Sequence, residues 1–298
     1  MMRYRVTHGT TYAYDDDVQS SYGLAHIAPR ALPWQQVASH SVSIDPATSD
    51  VTVDVDLYGN RVTYFHVTTP HENLLIEASS EVVVDTPDYD PDALAESWER
   101  SRPLIERAAP GSWAAIDFAL ESPGALHAPG VAEYAAVSLV PGRPIGAAVT
   151  DLMHRIHADF EYDGKATTVT STVADVLAKR AGVCQDFAHL ALACLRSHGV
   201  AARYVSGYLA TQPPPGKERV VGADASHAWV AVWIAASGQW LAIDPTNDQW
   251  VADRHVTVAW GRDYGDVTPV KGIIFTEAKT STLRVSVDVA PLEEVSLR

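Results

Sequence analysis

Over the first 88 residues apolar and polar side chains alternate with the period of two that half-buried strands require, and short turn signals divide the runs. Arg3-Tyr4-Arg5-Val6-Thr7-His8 alternates, with Gly9 as a break before Thr10-Thr11-Tyr12-Ala13-Tyr14. His40-Ser41-Val42-Ser43-Ile44-Asp45 alternates until Pro46 stops it. Residues 51–57 run into Tyr58-Gly59-Asn60, a hairpin turn, residues 62–67 return, and residues 74–84 supply another strand. Short strands between turns predict an antiparallel, β-sandwich-like domain over residues 1–88.

The pattern breaks at Thr86-Pro87-Asp88-Tyr89-Asp90-Pro91, and residues 89–143 read as a linker region of short helices and loops anchored by Trp98, Trp113 and Phe118. From Pro144 the apolar period becomes helical: Ile145, Val149, Leu152 and Ile156 share one face. Thr172 caps a second helix, with Asp175 at the capping-box position. An Ala/Leu-rich helix runs from about Cys184 to His198 and stops at Gly199. Strands are predicted over 200–209, 228–235 and 240–243, with closing strands within 273–289. Residues 144–298 therefore read as a catalytic domain with a nucleophile helix on an antiparallel sheet, and the whole chain as α+β.

Composition bounds the function. With 298 residues, 47% hydrophobic and 20% charged, the chain can bury the cores of two domains. A net charge of −15 argues against nucleic acid or an anionic membrane as partner. The start carries no apolar signal-like run, and the two cysteines, one read as a free nucleophile, fit a reducing cytoplasm. The sequence leaves oligomeric state open and points to no cofactor.

Candidate chemistry centres on Gly182-Val183-Cys184-Gln185-Asp186 at the start of the third helix. Gly182 is read as the turn into that helix. A first-turn thiol sits where the helix dipole and unpaired N–H groups favour an anion, and the same N–H groups could hold an oxyanion, with Gln185 or an upstream side chain as a further donor. Taken alone, a cysteine is more often a small buried hydrophobe. The order Cys184, His227 at a strand start and Asp244 at a strand end changes that reading: nucleophile, general base and acid, and orienting carboxylate. Cys194, in the helix body, is read as core. His154 and His157, one turn apart, are too weak a signal for a metal site.

These motifs resemble the transglutaminase-like superfamily, a papain-like fold, in its bacterial group with an N-terminal β domain. The resemblance is carried by residues 182–189, Ala202-Arg203-Tyr204-Val205-Ser206-Gly207-Tyr208, residues 222–229, 241–247 and 261–267, and in the N-terminal half by Tyr12-Ala13-Tyr14 and Asp56-Leu57-Tyr58-Gly59-Asn60. It implies Cys184 as nucleophile, His227 as proton shuttle and Asp244 as orienter, with Asp186, Tyr208, Asp224, Trp229 and Asp263 either lining the cleft or serving as structural support. Superfamily members include crosslinkers, deamidases, peptidases and amidases, so the resemblance implies a thioester mechanism on a peptide or protein amide. Hydrolysis is the expectation, because nothing in the sequence builds a site that selects an amine over water. A glutamine-to-amine transferase and a non-catalytic peptide-binding module are the alternatives. Asp186, Asp224, Asp263 and Asp266 are also read as an acidic rim for cationic substrates, and Pro213-Pro214-Pro215-Gly216-Lys217 as either a stiff surface loop, the simpler reading, or a rim or lid over the cleft.

Overall fold

The computed structural model describes residues 1–211 and 226–292. The N-terminal alternation becomes five strands: β1 (Met2–Ala25), β2 (Gln35–Asp45), β3 (Val51–Val55), β4 (Arg61–Val67) and β5 (His71–Val84). Gly9 does not end the first strand. Its φ stays outside the left-handed region, and β1 is hydrogen-bonded on both flanks there, so pairing carries the strand through. The register of β1 against β5 shifts between Ala13 and Val18, where the strand bends at the exposed run Asp15-Asp16-Asp17. The sheet curls at this bend. Ala25, Phe65 and Val67 of one arm meet Leu74, Ile76 and Ala78 of the other in a closed apolar layer. The sandwich-like character thus comes from one antiparallel sheet folded over itself.

Short helices follow: α1 (Pro91–Ala95), α2 (Ser112–Ala115) and α3 (Val131–Ala136). Trp98 and Phe118 are buried anchors as expected, whereas Trp113 is 84% exposed and anchors nothing. The second half contains α4 (Ile145–Asp159), β6 (Glu161–Tyr162), α5 (Val173–Lys179), β7 (Ala181–Gly182), α6 (Cys184–Arg196), β8 (Ala202–Leu209), β9 (Ser226–Ile234), β10 (Gln239–Asp244), β11 (Gln249–Trp250) and β12 (His255–Gly261). Thr172 and Asp175 close the capping box on α5. Helix α6 is apolar nearly all round beyond its first turn, as a helix inside a core must be. It packs on the sheet β11-β10-β9-β8-β12, whose neighbours are all antiparallel.

The closing strands are placed elsewhere. β13 (Val270–Thr276) and β14 (Ser281–Pro291) pair with β1, so the last strands among the described residues complete the N-terminal sheet and leave the second sheet bounded by β12. The 144–298 grouping read from the sequence therefore divides in space after β12. The two halves are tied firmly. Gln35 donates to the Thr257 carbonyl at 2.7 Å and accepts from the Thr257 N–H at 2.8 Å. The Asp56–Asn60 turn docks on β12, with Asn60 bonding the Trp260 carbonyl at 2.8 Å and N–H at 2.9 Å. Gly59 takes φ +75° there, a conformation that favours glycine. No helix among the described residues is long and apolar enough to cross a membrane.

Candidate active site

The half-buried Cys184 opens α6, directly after the parallel pair β6–β7. Asp186 fixes that start: its Oδ2 accepts the Val183 N–H at 2.8 Å and the Thr167 hydroxyl at 2.6 Å. Gly182 serves this contact rather than a left-handed turn. A Cβ built on it would lie 2.8 Å from both Cβ and Oδ2 of Asp186, so only glycine leaves room for the capping carboxylate. Asp186 is buried and acts on the helix.

His227 is the second residue of β9, and its neighbour on β8 is Gly207. Its Nε2 lies 2.7 Å from Oδ2 of Asp244 at the end of β10, which leaves Nδ1 for the thiol side. Burial alone would make the imidazole harder to protonate. The Asp244 hydrogen bond, then the bond and charge of Cys184, outweigh it and raise the affinity of His227 for a proton. Asp244 is fully buried, which by itself opposes ionisation, but bonds from His227 and His255 keep its carboxyl well below the usual carboxylate range. His227 and Asp244 are thus joined by a hydrogen bond, and Cys184 is near enough to act on the imidazole.

The sequence reading missed two members of this cluster. Asn247 donates its Nδ2–H to Asp244 Oδ2 at 2.7 Å and lies 3.2 Å from His227 Nε2. The buried His255, at the start of β12, places Nε2 3.2 Å from the same Oδ2. The string Asp244-Pro245-Thr246-Asn247 held a signal, since a side chain three residues past an Asp in a turn can return to it. No local signal marks His255. The pair His154 and His157 braces this turn: His154 bonds Asp248 and His157 reaches the Thr246 carbonyl at 3.1 Å. Tyr162 on β6 and Tyr204 on β8 lie within electrostatic reach of Cys184. Burial, and then the charge of Cys184, disfavour ionisation of both hydroxyls.

The expected cleft residues are distributed differently. Tyr208 is buried at the junction of the halves, its hydroxyl 2.9 Å from His8 Nδ1. Asp263 is buried and accepts the N–H groups of Gly124 and Gly265, each at 2.8 Å. Asp266 bonds Arg262. These carboxylates are committed within the protein, which removes them from an acidic rim. Trp229 is buried beneath the site, its ring centroid 6.0 Å from His227 and 5.3 Å from His255. Gly207 makes space for it, since a Cβ there would come within 2.4 Å of the indole. Gln185 is half-buried beside Cys184. Asp224 and the Pro213–Lys217 loop lie outside the described residues. Cys194 is fully buried, and burial pushes its thiol up to about 12, as befits a core residue.

Two family models match the chain: the bacterial transglutaminase-like N-terminal region over residues 4–83 and the transglutaminase-like superfamily core over residues 138–245. An uncharacterized protein of Mycobacterium tuberculosis is 48% identical over 98% of this chain and 93% of its own length. Another, from Mycobacterium leprae, is 34% identical over 98% of this chain and all of its own. In three dimensions the fold matches the crystal structure of a "putative cysteine protease" from Cytophaga hutchinsonii, with a TM-score of 0.70 at 20% identity over 98% of this chain and 91% of that one. With its thiol-bearing helix on an antiparallel sheet and the curled β unit ahead of it, the chain belongs to the transglutaminase-like superfamily of cysteine-based enzymes, in the bacterial form that joins its own N-terminal region to the core.

Proposed function

We propose that this protein is a thiol hydrolase of peptide or protein amide bonds, with Cys184 as nucleophile, His227 as general base and acid and Asp244 as orienter. The observation that carries this reading is the chain of partners from the first turn of α6, through His227, to a buried carboxylate. In the first half-reaction the thiolate attacks the amide carbon and the oxygen becomes an oxyanion beside the first-turn N–H groups. The C–N bond then breaks, and His227 gives its proton to the departing nitrogen, leaving a thioester on Cys184. In the second, His227 takes a proton from water as it attacks the thioester. The C–S bond breaks, the acid leaves, and the thiolate–imidazolium pair is restored.

The Val183 N–H is already spent on Asp186, so the oxyanion donors on this segment begin at Cys184 itself. The test is product analysis by mass spectrometry on peptide and glutamine-containing substrates in ¹⁸O-labelled water, with and without an added primary amine. Hydrolysis places label in the new carboxyl group, and Cys184→Ala abolishes it. Amine conjugates that dominate at low amine would replace hydrolase by transferase. Failure of the wild-type protein to turn over any amide, with no acyl-enzyme trapped on Cys184, would favour a binding module.

A further inference from the structure

The Asp244 carboxylate is held by five donors. Oδ1 accepts the N–H groups of Thr246 at 3.0 Å and Asn247 at 3.2 Å, while Oδ2 faces Asn247 Nδ2 and His227 Nε2 at 2.7 Å each and His255 Nε2 at 3.2 Å. Two histidines therefore share one carboxylate oxygen, and a proton relay works only if they are unequal. The geometry makes them so. The N–H of Ala252 points at His255 Nδ1 at 3.3 Å, so that nitrogen must present a lone pair. Its Nε2 must then carry the hydrogen, which it donates to Asp244. A second proton on this ring would set Nδ1–H against the Ala252 N–H. Burial beside Trp229 further opposes a charge, and the charged or titratable groups acting on the ring are Asp244, His227 and Arg254.

We infer that His255 is a positioning residue: a permanently neutral, Nε2–H imidazole that fixes Asp244 Oδ2 toward His227 without competing for the catalytic proton. It touches neither thiol nor substrate on this view. The inference rests on the assignment of Cys184, His227 and Asp244 proposed above. A charged donor in its place, such as lysine, would neutralise Asp244 and weaken its hold on the His227 imidazolium. A neutral donor orients the carboxylate and leaves its charge for His227.

Two measurements test this on the full-length protein. In ¹⁵N-histidine NMR of the wild type, His255 should keep an unprotonated Nδ1 and a protonated Nε2 from about pH 5 to about pH 9. A ring that titrates in this range, or shows the opposite tautomer, overturns the inference. The second is the pH profile of Cys184 alkylation by iodoacetamide. His255→Leu should slow the reaction at about pH 6 by roughly tenfold, the lower end for losing an outer partner of a functional histidine, and move the profile upward. His255→Gln, which can place an N–H near the same oxygen, should recover most of the rate. An unchanged rate and profile in a folded His255→Leu protein overturns the positioning role alone, since the assignment of Cys184, His227 and Asp244 would stand. A wild-type Cys184 that reacts no faster than an ordinary thiol overturns both.

Discussion

Helix α6 carries both cysteines of the chain, and they live in opposite environments. Cys184, in the first turn, is half-buried and lies near the His227 imidazole, whereas Cys194, in the body, is enclosed by aliphatic side chains and meets the Val131 carbonyl at 4.0 Å. On the proposed reading one helix thus supplies both a reactive position and an inert one. On that reading, reactivity belongs to the end of the helix, where backbone N–H groups lack intrahelical acceptors and a strand can bring in a base. The body of the same helix offers saturated backbone and apolar neighbours.

The sharpest way to break this contrast is by activity. Cys184→Ala should lower amide turnover by at least about 10⁴-fold, while Cys194→Ala stays within about threefold of wild type, as kcat/KM on one peptide substrate would show. Equal losses would remove the distinction. Asp244→Asn keeps the shape of the site and should cost roughly 10³-fold in kcat.

Asp244→Asn also has a signature in stability. His227 binds its proton more tightly when folded, so its contribution is complete below about pH 6.5 and fades as pH rises through the higher folded value. Asp244 is more acidic when folded, so its contribution is complete above about pH 4 and fades on acidification. Denaturant titrations should therefore show the largest stability gap between wild type and Asp244→Asn between about pH 4 and 6.5, and a smaller one at about pH 9. A gap that grows toward alkaline pH would contradict the pairing.

Alkylation reads the comparison directly. At about pH 6 iodoacetamide should modify Cys184 at least about 100-fold faster than Cys194, followed by peptide mass, and His227→Ala should erase most of that ratio. Gly182→Ala probes the helix start without touching the triad. The added methyl displaces the Asp186 carboxylate, and the expected cost is about 1–3 kcal/mol with slower Cys184 alkylation. Cys194→Ala should cost only about 1 kcal/mol, by thermal or denaturant unfolding.

Much of this was legible along the chain. The amphipathic α4, the capped α5 and the apolar α6 follow from spacing and caps, because helices are closed by bonds between near neighbours. The partner strands of β1 were not legible. β13 and β14 lie more than 240 residues along the chain from it, and period-two alternation marks a strand without naming its neighbour. The Asp56–Asn60 motif likewise reads as an ordinary hairpin turn, and only its docking on Trp260 explains the buried Asn60.

The sequence by itself determined the α+β class, the helix that carries Cys184 and the order of thiol, imidazole and carboxylate, since each rests on local periodicity and residue chemistry. Tertiary structure alone decided which polar groups serve the site. Asp186, Tyr208 and Asp263 are buried and bonded inside the protein, whereas Asn247 and His255, which the linear pattern passed over, converge on Asp244. The physical reason is that a buried carboxylate must gather its donors from wherever the folded chain passes, and that route is set by sheet pairing rather than by sequence distance.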